Sequence, residues 1–302
     1  MSILEVFCAV DDFWQQFAPQ WHAQGVTQGQ RQREREADMA PSDIMTLLIW
    51  FHHSRYRTFK DCSTRFAQVH RRREFPKLLS YSRIVTWMPA MVVPLWAYLH
   101  TLQGQTTGIS CSDSTKRRVC AHQRIHRHKV FADQAKRGQT STGGFFGCTW
   151  HLVVRDQGEL LSWCLTPGNV ADRQPVPKLV QHLIGKLVGD MSAALAEQLR
   201  AVGIDLVTTI RTNMPNRLMH LTDQVLLRKR AIIETIIDQV LLRKRAIIET
   251  VIDQLKNISQ IAHSRHRSPI NFLVNVVCGL IAYCHQEHKP SLHLAGNLVP
   301  AA

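Results

Sequence analysis

The chain has 302 residues, of which 45% are hydrophobic, and this content is enough to build a buried core. Lys and Arg total 37 against 23 Asp and Glu, so the formal net charge is +14 and the surface favours a polyanionic partner. The amino terminus lacks the basic segment of a secretory signal, and no apolar run approaches the roughly 20 residues that cross a bilayer. Composition therefore excludes a disordered tail and predicts a cytoplasmic protein with no membrane partner.

The first 100 residues predict a helical region. Apolar residues recur at helical spacing over 44–51, 59–69 and 81–85, and Pro41-Ser42-Asp43 gives the first of these helices a start signal. The second pattern ends in the basic run His70–Arg73. Short helices with basic joints favour a helix-turn-helix-like DNA-binding region, although a three-helix bundle with a solvated basic face explains the same pattern nearly as well.

The composition changes to strand-like segments after residue 108. Strands are expected over 108–113, 145–154 and 160–165, and the last two form a hairpin across the turn residues Asp156-Gln157-Gly158.

A helical stripe follows over 176–188, then a second helix over 192–202 and a strand over 204–210. This order predicts an α/β fold with a mixed sheet and flanking helices.

An identical repeat interrupts the carboxyl-terminal half. The motif DQVLLRKRAIIET occupies 223–235 and again 238–250, a shift of 15 residues. Solenoid repeats drift in sequence and are usually longer, so two identical copies indicate a recent tandem duplication of coding DNA.

Acidic residues near the ends of predicted strands are the candidate catalytic residues. Asp113 ends the first predicted strand, Asp190 follows KLVG, and Glu234 and Glu249 are the equivalent glutamates of the two repeat copies. Converging carboxylates supply the hard oxygen ligands that Mg²⁺ prefers, and two such ions support phosphodiester chemistry. We expect Asp113, Asp190 and one of the glutamates to be both catalytic residues and metal ligands.

Several motifs in order resemble one family of DNA-processing enzymes. They are DSTKRRVC from Asp113, HKVF, GGFFGCTWHLVV, LTPGNVADRQPVPKLV, LLRKRAIIET, DQLKNISQIAHSRHRSP and GLIAYCHQEHKPSLHL. Together, from about residue 40 to about 294, they resemble bacterial insertion-sequence transposases of the Asp-Asp-Glu (DDE) class, in particular the insertion-sequence 982 group.

The resemblance implies a ribonuclease-H-like catalytic domain over 101–258, which contains the duplication 223–252. A helical DNA-binding region over 1–100 would precede it, and a carboxyl-terminal helix and tail over 259–302 would follow. It also implies Mg²⁺, with Mn²⁺ as a substitute, and a homo-oligomer on the double-stranded DNA of the element ends and the target. The activity implied is cleavage at the element ends and joining of the 3′-OH to target DNA, on a bacterial chromosome or plasmid.

The chain departs from the family pattern after Asp190. The family continues Lys-Gly-Tyr, whereas here Asp190 is followed by Met191-Ser192. Asp190 could instead cap the helix that follows, which would leave fewer lone pairs for a cation. Together with the duplication, this departure supports the alternative of a degenerate, inactive copy that only binds DNA.

Helix geometry favours Glu249 over Glu234. Fifteen residues advance a helix by roughly 22 Å and rotate it about 60° beyond whole turns, so the two glutamates cannot occupy one site. If Glu249 keeps the site, the extra copy is displaced toward the polar segment 211–220, where insertions are better tolerated.

Several residues near the candidate carboxylates have predicted roles of their own. The basic residues of 116–129 could hold the DNA backbone, although such runs are usually solvated. Asp172 is expected to cap the helix that follows it, and His151 to line a strand face beside Trp150.

Overall fold

The computed structural model describes residues 2–27, 38–54, 56–140, 143–189, 193–207, 247–257 and 266–290. The chain divides into two compact units. The first unit comprises residues 1–103, 123–132 and 253–288, and the second comprises residues 104–122, 133–252 and 289–302. No helix in the described ranges combines the length and apolar content needed to cross a bilayer.

The first unit is helical. Its helices are α1 (Ile3–Thr27), α2 (Pro41–Phe51), α3 (Phe59–Asp61), a π-helix (Cys62–Ala67), α4 (Gln68–His70), α5 (Tyr81–Trp87), α6 (Val92–Thr101) and α10 (Pro269–Cys284), with 3₁₀ turns at Met88–Met91 and His122–Arg127. The helix predicted over 44–51 is confirmed as α2, where Asp43 accepts the backbone N–H of Ala40 at 3.2 Å. Ser268 caps α10 by accepting the backbone N–H of Asn271 at 3.4 Å.

The pattern over 59–69 does not form one regular α-helix. A π-helix replaces the central turns and brings the buried residues Cys62 and Ala67, five positions apart, onto one face. A π-helical turn contains more residues than an α-helical turn, and this rotates the residues that follow it about the helix axis. Val69 is therefore turned away from the buried face and is 64% exposed. The predicted apolar stripe therefore ends before its last member.

The second unit contains one six-stranded mixed sheet. Its strands are β1 (Ile109–Cys120), β2 (Lys136–Thr140), β3 (Gly143–Arg155), β4 (Leu160–Pro167), β5 (Gly185–Val188) and β6 (Ile204–Val207), and its helices are α7 (Val176–Leu179) and α8 (Ala193–Ala201). The order is β2-β3-β1-β5-β6, with β4 also paired to β3. β3 is antiparallel to β1, β2 and β4, whereas β5 is parallel to both β1 and β6. The predicted mixed sheet is confirmed.

Two predictions about this unit need correction, and one strand was not predicted. The stripe over 176–188 is not one helix, because only Val176–Leu179 is helical and Gly185–Val188 forms strand β5 beside β1. β1 continues to Cys120 instead of ending at Asp113, and the basic strand β2 gave no apolar signal. Short apolar runs do not distinguish a buried strand from a helix, which is why periodicity misread the segment.

The helices α7 and α8 cover one face of the sheet. Leu187 and Ile204 pack in a single core cluster with Val153 from β3 and with apolar residues of both helices. In the parallel register Leu187 pairs with Ser110, so it shares a face with the even-numbered residues of β1. Asp113 therefore lies on the opposite face, which it shares with its antiparallel partner Leu152.

One further α-helix, α9, spans residues 247–257, and the boundary between the two units falls within it, after residue 252. It contains the last four residues of the second repeat copy, and the rest of the duplication lies outside the described residues.

Candidate active site

Asp113 lies on β1 just past the last described residue pair between β1 and β5. The last residue pair between β1 and β5 is Cys111 with Val188, and Asp113 follows two residues later on β1. It is half-buried, and its Oδ1 accepts the backbone N–H of Ser114 at 2.8 Å. Side chains beyond the carboxyl ends of parallel strands line the usual ligand crevice of α/β sheets, which makes Asp113 well placed for chemistry.

The second candidate carboxylate falls beyond the described strand. Asp190 is two residues after Val188 in the chain, and Asp113 is two residues after the Cys111 that pairs with Val188. Asp190 lies outside the described residues, and so does Glu234.

Glu249 is on the exposed side of α9. Its neighbours Ile248 and Ile252 are 1% and 6% exposed, whereas Glu249 itself is exposed. Glu249 therefore lies next to the buried stripe of this helix and not within it. Within the described residues, no three His, Cys, Asp or Glu side chains come together in a way that could hold a metal ion.

The donor atoms of the described candidate ligands indicate which kind of metal ion they could bind. The described donors of the predicted set, Asp113 and Glu249, are oxygen ligands of the kind that Mg²⁺ and Mn²⁺ prefer. The buried cysteine next to this site in sequence, Cys111, has the opposite preference, since thiolates favour softer metals. The donor chemistry therefore fits a hard divalent cation at Asp113.

Arg117 is buried, although it belongs to a basic run of the kind that is usually solvated. It lies on the same face of β1 as Asp113 and is only 5% exposed, so it does not belong to a solvated basic run. Its Nε and Nη2 have no hydrogen-bond partner among the described residues. Burial lowers the pKa of its guanidinium to about 10, which still leaves it charged at neutral pH. Counting every second residue from Asp113 would have revealed this inward position.

The neighbours of Arg117 face the other way. Lys116 donates to the backbone carbonyl of Gln139 at 3.4 Å and lies 5.9 Å from the centre of the Phe145 ring. Arg118 is exposed, as expected for a residue that contacts a DNA backbone.

His151 lies on the sheet face opposite Asp113. It pairs with Ser114, is 2% exposed, and its Nε2 is 2.9 Å from Oγ1 of Thr166. Burial lowers the pKa of His151, and the charge of Asp172 opposes this shift. The prediction that His151 lines a strand face is confirmed, and its position makes it a structural residue of that face.

Asp172 does not cap the following helix, contrary to the prediction. α7 begins at Val176 with Pro175 at its N-cap position and without a side-chain cap. The turn at 172–175 moves the helix start away from the aspartate.

The fold and the position of Asp113 define a class of protein. Four strands joined by antiparallel pairing, β1 to β4, are followed by β5 and β6, which pair in parallel. Together with the helices between β4, β5 and β6 and an acidic residue on β1, this arrangement is consistent with the ribonuclease-H-like fold.

Comparison with family models then identifies the family. Residues 103–240 and 236–269 match the family described as "Transposase DDE domain", and the two matches together cover just over half of the chain. The chain belongs to this family of DDE-type transposases, whose members cut and join DNA in transposition and recombination and generally use divalent metals. The two matches overlap within the duplicated segment. Neither curated proteins nor solved structures gave a match.

Proposed function

We propose that this protein cleaves DNA at the ends of an insertion element of the insertion-sequence 982 group and joins the freed 3′-OH to target DNA. The observation that carries the proposal is the position of Asp113, on β1 just past its last pair with β5. In a family defined by two aspartates and a glutamate, the first carboxylate must lie close to the second. Asp113 is placed for this, because the second candidate, Asp190, follows strand β5 in the chain.

Asp113, Asp190 and Glu249 would hold Mg²⁺ or Mn²⁺. When bound, such ions activate water and stabilise the leaving oxygen of the phosphodiester. Asp113 contributes an oriented carboxylate, because the hydrogen bond from Ser114 N–H to its Oδ1 fixes the side chain.

The buried charge of Arg117 acts at a distance from the reacting atoms. Four residues of extended chain separate it from Asp113, which is about 13 Å at the usual rise of a strand. That separation is too long for Arg117 to contact a cation held by Asp113. Its role would be to attract the DNA polyanion toward this face of the sheet.

Glu249 is the better glutamate of the repeated pair. It lies in a helix whose buried residues Val251 and Leu255 are both 0% exposed, so its backbone is held by packing. Packing of this kind is what a metal ligand needs to keep its position. Glu234 would then be a solvated residue of the extra copy.

The helical unit would supply further DNA contacts. We propose that the region 1–100 binds element ends, that 101–258 forms the catalytic domain, and that 259–302 forms a terminal helix and tail. Two DNA ends must be brought together in transposition, so a homo-oligomer on DNA is part of the proposal. The family match gives no support to the alternative of an inactive copy, which becomes one outcome of the test below.

A nicking assay tests the proposal. The substrate is a supercoiled plasmid that carries the DNA flanking the coding sequence, with inverted repeats as the candidate element ends. We expect nicking in Mg²⁺ or Mn²⁺ and none in EDTA, and we expect Asp113→Asn to abolish it. Asp133→Asn is the matched control, because Asp133 is exposed in the same unit.

The two glutamates are compared in the same assay. Glu249→Gln should abolish nicking and Glu234→Gln should not. Binding of the flanking DNA without nicking by the unsubstituted protein would support the inactive copy, and nicking that survives Asp113→Asn would contradict the proposed site.

A further inference from the structure

A cavity of about 520 Å³ lies within the helical unit. Its walls come from the end of α2, the segment 57–60, α5 and the first turns of α10. A water molecule occupies about 30 Å³, so this space is far larger than a packing defect and falls in the range of small-molecule sites. Neither of the described candidate carboxylates, Asp113 and Glu249, is among its described lining residues.

One wall of the cavity is aromatic. The rings of Phe51 and Phe59 meet edge to face with centroids 5.6 Å apart, and the rings of Phe59 and Tyr81 are 6.2 Å apart. Phe51 is buried, whereas Phe59 and Tyr81 are half-buried and keep part of their surfaces available. Such rings offer a stacking surface to a planar ligand.

Three cationic side chains stand among the other lining residues. Arg57, Lys60 and Arg267 all line it, together with His52 and His266. No Asp or Glu is found among the described lining residues to balance these charges. A cationic ligand is therefore disfavoured, and a ligand that carries an anionic group such as a phosphodiester is favoured.

A buried acceptor points to a ligand that also donates hydrogen bonds. Asn271 lines the cavity, and its Oδ1 is shielded from solvent with no hydrogen-bond partner among the described residues. A buried unpaired amide oxygen costs free energy, so a donor supplied by a ligand would be stabilising. The ring N–H and exocyclic amino groups of nucleobases are donors of this kind.

We propose that this cavity binds one unstacked nucleotide of a DNA strand. The base lies against Phe59 and Tyr81 and donates to Asn271, and its phosphate is held by the cationic residues. Its described lining residues do not include Asp113 or Glu249, so binding to the cavity can be tested on protein that does not cut DNA. Its chemistry suits single-stranded or locally opened DNA, because a base within a duplex is already stacked.

Fluorescence anisotropy tests the proposal with the full-length protein. The probes are a labelled oligodeoxycytidylate of about 20 nucleotides and an abasic strand of the same length and charge. Stacking contributes about 1–3 kcal/mol per base, so we expect the normal strand to bind about 10-fold more tightly than the abasic strand. Equal affinities would overturn the proposal.

Substitutions then locate the effect. Tyr81→Ala should reduce the preference for the normal strand to less than about 2-fold, and Tyr81→Phe should keep it. Tyr56→Ala is the matched control, since Tyr56 is a half-buried tyrosine of the same unit outside the cavity lining. A preference that survives Tyr81→Ala, or that Tyr56→Ala removes equally, would contradict the site.

A second pair of variants covers the case in which Tyr81→Ala fails to fold. Lys60→Ala should weaken binding of the normal strand several-fold more than Lys77→Ala, because Lys77 is exposed outside the cavity. Equal effects of the two substitutions would overturn the proposal.

Competition with deoxycytidine monophosphate distinguishes a strand from a free nucleotide. We expect no displacement of the oligonucleotide at micromolar concentrations of the monophosphate. Displacement at those concentrations would show that the cavity takes free nucleotides and would overturn its assignment to DNA.

Discussion

Arg117 on β1 and Cys148 on β3 are register partners, and both side chains are buried in the sheet. Burial raises the pKa of the Cys148 thiol to about 11, and the nearby guanidinium partly offsets this shift. Among the described residues, two of the guanidinium nitrogens have no hydrogen-bond partner. A buried charge in this situation destabilises the fold, which indicates that Arg117 is present for a reason other than stability.

Replacing Arg117 should therefore stabilise the protein. We expect Arg117→Met to raise the free energy of unfolding by about 1–3 kcal/mol, because methionine fills similar space without an unpaired charge. Urea denaturation measures the change, and the exposed neighbour in Arg118→Met serves as a control with an effect within about 0.5 kcal/mol. A loss of stability in Arg117→Met would show that the guanidinium is well paired.

Gly147 is required by the close approach of β1 and β3. A Cβ at this position would overlap the backbone carbonyl of Arg117 and lie 3.2 Å from Cα of Arg118. Gly147→Ala must force the two strands apart, and we expect it to cost about 3 kcal/mol in the free energy of unfolding.

The neighbouring glycine provides the control for this prediction. In Gly144→Ala the new Cβ would come no closer than 3.4 Å, to Cε1 of His122. Thermal denaturation should therefore show a large fall in Tm for Gly147→Ala and a small one for Gly144→Ala. Equal changes would argue against the observed β1–β3 register.

The strands were predictable where their sequence carried a local signal. The hairpin of β3 and β4 follows from the two strand-like apolar segments on either side of Asp156-Gln157-Gly158. Gly158 has the positive φ of 73° that such a turn uses. α8 was predicted nearly to its boundaries, and β6 begins at the predicted residue, Ile204. β5 was missed because Leu187 and Val188 satisfy a helical period as well as a strand, and only pairing with β1 decides between them.

The candidate site was predictable by chemistry more than by position. The requirement for hard oxygen ligands selects Asp113 as a candidate from the sequence. The continuation of β1 beyond Asp113 depends on pairing with β3, which the local sequence does not indicate. The inward position of Arg117 was hidden within a basic run that composition assigns to the surface. Asp190 and Glu234 remain predictions, since both lie outside the described residues.

His53 makes stability depend on pH. Its Nε2 is buried without a hydrogen-bond partner among the described residues, and burial lowers the pKa of the imidazole from 6.5 to about 4. The unfolded chain takes up a proton near pH 6.5 and the folded protein does not, so stability falls as the pH falls from about 6.5 toward 4.

We expect the lowered pKa of His53 to reduce the free energy of unfolding by about 2 kcal/mol when the pH falls from 7.5 to 5. His53→Gln should reduce this difference when urea denaturation is measured at both values. His100→Gln, which changes an exposed histidine of the same unit, should leave it unchanged. An unaltered pH dependence in His53→Gln would show that His53 is accessible to protons in the folded state.

Deleting residues 223–237 tests how the duplication and the proposed site are related. The deletion removes one copy of the repeat and joins Thr222 to Asp238, so the segments on both sides of the remaining copy stay intact. Because fifteen helical residues correspond to about 22 Å and a rotation of 60°, only one copy can be in register with the site. If Glu249 is the ligand, we expect the shortened protein to nick DNA in Mg²⁺ at least as well as the full chain and to have an equal or higher Tm. Adding Glu249→Gln to the shortened protein should abolish nicking, whereas loss of nicking or folding on deletion alone would show that the first copy is part of the working structure.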